Sequence, residues 1–204
     1  MPAVLELLTL LIVGMKVFED VITKKSGPFY TAVLWLIRQH IPSTLTGLFT
    51  LVTSTGAAIF LGPATVLLNT TVLRLKHRRK ALLVASSMAW SGLLTYFIKA
   101  LVNRSRPDPW GATRYSSSSF PIGHTLRTTA LATALVLCVT RVWPGSRYAA
   151  LALAGLWIGL MELSRLVLGS HWPTDVLAAF CLGVFAPMAI SMALDLYQHG
   201  LASI

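Results

Sequence analysis

The sequence predicts an all-α, polytopic membrane protein with six transmembrane helices and one interfacial amphipathic helix. The 204-residue chain is 55% hydrophobic and only 12% charged, and its mean hydropathy is +0.70. Soluble domains carry about 25% charged residues, so this composition excludes an ordinary soluble domain. The apolar residues also fall in runs near the roughly 20 residues that cross a bilayer core. A chain of this length needs only one domain.

Six segments have the length and composition of membrane-spanning helices. They cover approximately residues 3–21, 44–72, 81–102, 121–142, 148–168 and 175–196. The first is the least apolar, because it contains Glu6 and Lys16. It also lacks the basic region and cleavage site of a signal peptide, so we expect it to be retained as a helix.

A segment of mixed character, Phe18 to Leu45, lies between the first two spans. It begins with polar residues and continues with aromatic and aliphatic residues around Arg38 and His40. This pattern indicates an amphipathic helix that lies in the membrane interface.

The loop between the second and third spans, Arg74 to Lys80, carries five Lys or Arg among seven residues. Such loops stay in the cytoplasm, so we expect both termini to be cytoplasmic. A nucleic-acid or lipid-headgroup patch is the alternative, and the net charge of +10 would suit nucleic acid. The cations, however, lie in this loop or among apolar residues and form no solvent-facing stripe. We therefore expect no nucleic-acid partner.

This threading places polar residues from distant parts of the chain at the opposite, non-cytoplasmic end. A helix rises 1.5 Å per residue, so about one crossing separates Lys80 from Lys99. Two crossings, one down and one back, separate His124 from Arg165. The residues expected at this one face are Lys99, Arg106, His124, Arg165, His171 and Asp175.

The first polar cluster follows the third span, where Lys99 precedes Arg104 and Arg106. Cations at a helix end commonly extend to the membrane interface, which is one explanation. These cations, however, stand against the positive-inside bias. An anionic ligand would explain their position.

The second cluster opens the fourth span at Pro121, which suits the first turn of a helix. The free N–H groups of Ile122, Gly123 and His124 would point out of this helix start, which readily binds phosphate. His124 stands at the rim, where it could donate or accept a proton. A structural histidine is the alternative.

The third cluster joins the last two spans. Arg165 lies inside the fifth span, where an unpaired charge is costly, and Glu162 is an alternative ion-pair partner. Asp175 follows His171 by four residues, so its carboxylate can reach the ring. A carboxylate that accepts the Nδ1 proton leaves Nε2 as a lone pair, as a histidine nucleophile requires.

Two histidines, one aspartate and at least three cations define the expected chemistry. So many Lys and Arg residues repel metal ions, and only one clear carboxylate is present, so we expect no metal and no cofactor. Cys138 and Cys181 lie in apolar runs and predict neither a disulfide nor a zinc site. Cations beside a helix start and a His–Asp pair predict metal-independent phosphoryl transfer.

These residues match the motifs of a known family. The chain resembles the type 2 phosphatidic acid phosphatase superfamily, which includes bacterial lipid phosphatases and shares its site with vanadium haloperoxidases. The motif Lys, six residues, Arg-Pro is present from Lys99 to Pro107. The motif Pro-Ser-Gly-His is PIGH, Pro121 to His124, and Ser-Arg, five residues, His, three residues, Asp runs from Ser164 to Asp175. The resemblance covers about residues 43–196.

The resemblance implies a role for each motif residue. His171 would attack phosphorus to form a phosphohistidine, and Asp175 would orient and charge the imidazole. His124 would protonate the leaving oxygen and then activate water. The groups that would hold the phosphate are Lys99, Arg106, Arg165 and the Gly123 N–H.

Three further arginines, Arg104, Arg114 and Arg127, are expected to contact a second phosphate or the lipid headgroup. Arginine suits this task because its planar fork binds phosphate in a bidentate fashion. For Arg127, an ion pair with Glu162 inside the bundle is an alternative.

One position departs from the family motif. The family's serine, a hydrogen-bond donor to phosphate, is Ile122 here. Losing one such donor costs on the order of 10²–10³ in rate in a comparable oxyanion setting. We see three explanations: a natural variant compensated by Ser118, Ser119 or Thr125, an introduced substitution, or a degenerate enzyme.

The sequence therefore predicts one membrane phosphatase domain, residues 1–204, in the bacterial inner membrane with its site facing the periplasm or cell exterior. The expected substrate is a lipid phosphomonoester or pyrophosphate, such as phosphatidic acid, phosphatidylglycerol phosphate or undecaprenyl pyrophosphate. The alternatives are a lipid phosphotransferase and a non-catalytic protein that binds or transports phospholipid.

Overall fold

The structure is a computed structural model that describes residues 2–23, 27–102, 104–107 and 119–202. It contains eight α-helices within these residues and no strand, which confirms the all-α prediction. The helices are α1 (Pro2–Thr23), α2 (Gly27–His40), α3 (Thr46–Ser54), α4 (Ala58–Arg74), α5 (Arg78–Val102), α6 (Gly123–Val142), α7 (Arg147–Val167) and α8 (Pro173–Ala202).

Four helices, α5 to α8, are each long and apolar enough to cross a membrane, α7 together with the short 3-10 helix before it. The pair α3 and α4 meets the same criteria jointly, although the two helices are bent by 42°. The described residues thus contain up to five spans, and the expected six are not confirmed. The missing one is α1, which carries Glu6, Lys16, Glu19 and Asp20.

The bend between α3 and α4 follows from a close approach at Gly56. A Cβ at this position would lie 2.6 Å from Met161 Cε on α7 and 2.8 Å from Thr128 Oγ1 on α6. The backbone therefore presses against both helices. Beside the bend, the Trp157 indole N–H donates to Thr55 Oγ1 at 3.2 Å. The bend thus turns the hydroxyl group of Thr55 toward α7.

Helix α6 lies at the centre and contacts α5, α7 and α8. Its buried face carries small residues, among them Ala130, Ala132 and Ala134. Small side chains let membrane helices approach closely. On α8, a Cβ at Gly183 would lie only 2.6 Å from Thr129 Cβ. This tight packing fixes the position of the α6 start.

The two ends of the bundle differ in chemistry. At one end, Asp195 of α8 pairs with Arg79 of α5 at 2.5 Å and with Arg141 of α6 at 2.8 Å. This is the end that carries the basic loop. At the other end lie the last turn of α5, the start of α6, the end of α7 and the start of α8. The motif residues occupy that second end.

Helices α1 and α2 lie beside this core. The buried face of α1, Leu7, Val17 and Val21, is turned to the protein, and α1 packs along α8. The Tyr30 hydroxyl of α2 donates to Asp20 Oδ2 at 2.5 Å, which ties α2 to the end of α1. Helix α2 falls within the segment predicted to be amphipathic.

Candidate active site

His171 lies in the turn between α7 and α8, buried from solvent. Its Nδ1 is 2.8 Å from the backbone carbonyl oxygen of Ser119, and its Nε2 is 3.0 Å from Arg106 Nη1. A guanidinium group has only donors, so Nε2 accepts and Nδ1 carries the proton. The geometry therefore selects a neutral ring with its lone pair on Nε2.

The partner of Nδ1 differs from the expectation. Asp175 Oδ2 lies 3.8 Å from Nδ1, beyond hydrogen-bond range. The Asp175 carboxylate instead accepts from the Trp172 backbone N–H at 3.1 Å and from Arg104. The Ser119 carbonyl thus fixes the tautomer, and the negative charge of Asp175 acts on the ring through space.

Arg104 is bound to Asp175 and to its neighbour Thr174. Its Nη1 donates to Asp175 Oδ1 and, at 2.9 Å, to Thr174 Oγ1. The guanidinium carbon lies 5.5 Å from the centre of the Trp172 ring. The structure therefore places Arg104 on Asp175, and its expected contact with a second phosphate or headgroup stays a prediction. Arg114 lies outside the described residues.

The pKa of His171 is lowered to about 4, mainly by burial and also by the charges of Arg165 and Arg106, against the opposing effect of Asp175. Desolvation disfavours the charged imidazolium, which explains the direction. A lowered pKa means that the ring stays neutral at all pH values above about 4. The candidate nucleophile is therefore unprotonated at neutral pH.

We expect the ¹⁵N resonances of the His171 ring, assigned by their loss in His171→Gln, to titrate with a midpoint near pH 4. Substrate ionisation does not affect this NMR titration of the resting protein. A His171 midpoint between 6 and 7 would contradict the burial argument.

Two arginines of the motifs are anchored near His171. Arg106 Nη1 also donates to the Ser170 carbonyl oxygen at 3.0 Å. Arg165, 7% exposed in the last turn of α7, donates from Nη1 to Thr53 Oγ1 at 2.8 Å. The described residues show no ion pair between Arg165 and Glu162, the alternative considered from the sequence.

The remaining polar residues gather at the same end. Lys99 interacts electrostatically with Arg106, Arg127 and Arg165. His124, half-buried in the first turn of α6, interacts with Arg165, Arg127, His171 and Lys99. The structure thus brings together the motif residues that the sequence placed at one face. Their catalytic roles stay predictions.

The start of α6 has an apolar side and a polar side. Ile122 precedes the helix, is fully buried, and packs with Leu126, Val176 and Ala179. Its side chain therefore lies in the apolar cluster between α6 and α8. Gly123, the first residue of the helix, borders the cationic side instead, because the position of a Cβ there would be 2.9 Å from Arg127 Nη2.

The hydroxyls proposed to compensate for Ile122 differ in their surroundings. The Ser119 hydroxyl donates to the Ser105 carbonyl oxygen at 3.2 Å, and its N–H donates to the Arg104 carbonyl oxygen at 2.8 Å. Ser119 therefore holds two loops together. Thr125 is buried, and its Oγ1 has no hydrogen-bond partner among the described residues. Ser118 lies outside them.

Three contacts of the site have no signature in the sequence: the Ser119 carbonyl, the Thr53 hydroxyl, and Trp172. The Trp172 indole N–H donates to the Ser105 carbonyl oxygen at 3.0 Å. In the part of the chain that is described, no three His, Cys, Asp or Glu residues are grouped to hold a metal ion. The expectation of a metal-independent site stays a prediction.

An apolar cavity of about 350 Å³ lies between α1, α5 and α8 and extends to Phe120. Its lining includes Gly14 and Phe18 of α1, Ile98 of α5, and Phe120. Phe120 follows Ser119, whose carbonyl binds His171. The cavity therefore runs from the middle of the bundle to the loop that orients the candidate nucleophile.

Comparison with known proteins agrees with this geometry. A family model described as the PAP2 superfamily matches residues 80–194. Phosphatidylglycerophosphatase B of Bacillus subtilis is 30% identical over 153 residues, 73% of this chain and 73% of that protein. Decaprenylphosphoryl-5-phosphoribose phosphatase of Mycobacterium tuberculosis is 36% identical over 114 residues, 53% of this chain and 59% of that protein.

Among solved structures, a transmembrane PAP2-type phosphatidylglycerolphosphate phosphatase from Bacillus subtilis superposes with a TM-score of 0.76. It is 23% identical, and the match covers 97% of this chain and 96% of that one. At this identity the likeness shows the fold, and it extends over α1 and α2 as well as the motif-bearing helices.

Proposed function

The chain belongs to the PAP2 superfamily, and we propose that it is a membrane phosphatase that hydrolyses a lipid phosphomonoester or pyrophosphate. The observation that carries the proposal is the state of His171. Its ring is neutral, its Nδ1 proton is held by a carbonyl, and its Nε2 lone pair faces the guanidinium of Arg106. A nucleophilic histidine needs a neutral ring with its lone pair on the attacking nitrogen.

The first chemical step follows from this geometry. Nε2 of His171 attacks phosphorus, so that a P–N bond forms while the bond from phosphorus to the lipid oxygen breaks. His124 gives its proton to the departing oxygen. Asp175, 3.8 Å from Nδ1, stabilises the positive charge that develops on the ring. Arg106, which contacts Nε2 in the free protein, moves to a phosphate oxygen when substrate binds.

The second step returns the enzyme to its starting state. His124, now neutral, takes a proton from water as the water oxygen attacks phosphorus and the P–N bond breaks. Inorganic phosphate leaves, and His171 recovers its lone pair. Lys99, Arg106 and Arg165 hold the phosphate oxygens in both steps, because preorganised donors act where charge develops.

A lipid substrate suits the surroundings of the site. The apolar cavity between α1, α5 and α8 could hold a hydrocarbon chain while the phosphate reaches His171. The relatives named above act, by their names, on a glycerophospholipid and on a decaprenyl lipid. Phosphatidic acid, phosphatidylglycerol phosphate and isoprenyl pyrophosphates such as undecaprenyl pyrophosphate are therefore the substrates that we propose.

We further propose one domain of six crossings in the bacterial inner membrane, with α1 as the sixth and the site facing the periplasm or cell exterior. The helix α1 packs along α8 and exposes Leu5, Leu8 and Ile12 outward, which supports a membrane position. The basic loop at the opposite end supports the orientation.

The proposal is tested by phosphate release from purified protein in detergent micelles that contain EDTA and one lipid phosphate at a time. We expect release from at least one of the proposed lipids, with the dephosphorylated lipid as the other product. Transfer of the phosphoryl group to an acceptor other than water would indicate a phosphotransferase. Release from none of the lipids, or loss of activity in EDTA, would contradict the proposal.

The apolar cavity makes a separate prediction about chain length. Gly14→Leu should raise KM about 10-fold for a long-chain phosphatidic acid and leave a short-chain analogue nearly unchanged. A Cβ at Gly14 meets Cys181 Cβ at an ordinary 3.7 Å, so the added branch projects into the cavity. Displacing a few methylenes, each worth about 0.8 kcal/mol, explains the size of the effect.

Gly62→Leu is the matched control, because Gly62 is an exposed helical glycine on α4 whose Cβ would meet nothing within 4 Å. The KM values of this variant for both lipids should equal those of the wild type. An equal loss on both lipids in Gly14→Leu, or none on either, would show that the cavity does not hold the substrate chain.

A further inference from the structure

Arg127 lies one turn inside α6, on the same face as Gly123 four residues earlier. Long side chains on a helix point toward its N-terminus, and this one reaches the helix start. The position of a Cβ at Gly123 would be 2.9 Å from Arg127 Nη2, 3.2 Å from Nη1, and 3.2 Å from Thr95 Cγ2. The guanidinium therefore fills the space beside the Gly123 backbone, against α5.

The same space is bordered by other groups of the site. Lys99 follows Thr95 by one turn of α5 and interacts electrostatically with Arg127. His124, the neighbour of Gly123, interacts with Arg127 as well. Arg127 thus joins Arg106 and Arg165 as a third arginine around Lys99.

Among the described residues, no carboxylate group pairs with the Arg127 guanidinium. In residues 2–23, 27–102, 104–107 and 119–202, Arg127 forms no ion pair, and its buried Nε has no hydrogen-bond partner. The ion pair with Glu162 considered from the sequence is absent, and Glu162 Oε1 is itself buried without a hydrogen-bond partner in these residues. An unpaired guanidinium inside a membrane helix is costly and marks a functional position.

From these contacts we infer that Arg127 is a direct ligand of the substrate's reacting phosphate, supplying donors at the start of α6. The inference rests on the proposed phosphatase function and adds a residue outside the three motifs. It also explains how the site works with Ile122. The Ile122 side chain points into the apolar cluster with Leu126 and Val176, so the donors come from Arg127, on the other side of Gly123.

The test compares Arg127→Met and Arg127→Lys with Arg78→Met, an exposed arginine at the opposite end of the bundle. Binding of inorganic phosphate is measured by calorimetry, lipid phosphate hydrolysis by steady-state kinetics, and folding by thermal denaturation in the same detergent. We expect Arg127→Met to weaken phosphate binding at least 10-fold and to lower kcat/KM about 10²-fold. Arg127→Lys should lie within about 10-fold of the wild type, because it keeps the charge.

Stability separates a phosphate ligand from a structural residue. Removing an unpaired cation should leave the thermal midpoint unchanged or raise it, since binding sites commonly sacrifice stability for function. Unchanged phosphate affinity in Arg127→Met, or a lowered midpoint with hydrolysis lost only in proportion to unfolding, would overturn the inference. If the wild type hydrolyses no lipid phosphate, the proposed function fails, while calorimetry with inorganic phosphate still decides the role of Arg127.

Discussion

Replacing His171 with glutamine is expected to lower kcat/KM for a lipid phosphate by about 10⁴-fold or more, because removing a covalent nucleophile has effects of that size. The Nε2 lone pair, which Arg106 contacts at 3.0 Å, is lost. Glutamine is polar and close to imidazole in size, so the turn between α7 and α8 should keep its conformation. The measurement is phosphate release in EDTA.

His77→Gln is the control for this substitution. His77 is exposed in the basic loop at the opposite end of the bundle, so its loss should leave hydrolysis within about 2-fold of the wild type. A His171→Gln protein that folds like the wild type and keeps a tenth of its activity would exclude a histidine nucleophile.

Asp175→Asn should lower kcat/KM by about 10³-fold and also destabilise the protein. The first effect arises because the negative charge 3.8 Å from Nδ1 no longer stabilises the charged ring. The second arises because Arg104 loses its buried counter-charge, and breaking a buried ion pair costs about 3–5 kcal/mol. Kinetics and thermal denaturation in the same detergent measure the two effects separately.

The double variant Arg104→Met, Asp175→Asn distinguishes these contributions. Removing both charges takes away the uncompensated guanidinium, so the thermal midpoint should recover most of what Asp175→Asn lost. Activity should stay low, because the ring still lacks its counter-charge. Recovery of activity along with stability would show that Asp175 acts only by holding Arg104 in place.

Hydrophobic periodicity and motif spacing were sufficient to predict where the core helices α5, α6 and α7 lie in the sequence. The predicted spans 81–102, 121–142 and 148–168 agree closely with α5, α6 and α7. Because the length of a crossing is set by the bilayer, residue counting also predicted which polar groups share one end. The family resemblance is confirmed by the match over residues 80–194.

The same reasoning was insufficient where tertiary contacts involve the backbone. The carbonyl of Ser119 binds His171 across 52 residues of sequence, and any residue type could supply it. A carboxylate four residues after a histidine predicted an Asp175–Nδ1 hydrogen bond, yet Arg104 and the Trp172 N–H hold that carboxylate 3.8 Å away.

The directions in which side chains point were also not predictable from the sequence. The motif showed that Ile122 lacks the donor of the family's serine but not where its side chain lies, and the extended backbone before α6 turns this side chain into the apolar cluster. The bend between α3 and α4 was likewise absent from the hydropathy pattern, because it depends on the contact of Gly56 with Met161. That bend brings Thr53 to Arg165.

Trapping the covalent intermediate tests the central claim most directly. Purified protein is mixed in EDTA with a hydrolysable lipid phosphate labelled with ³²P, quenched within milliseconds to seconds, and examined for label on the polypeptide. We predict an alkali-stable, acid-labile phosphohistidine at His171, which forms and decays during turnover and is absent from His171→Gln. Lipid hydrolysis without any labelled histidine, or label on a residue other than His171, would contradict the account.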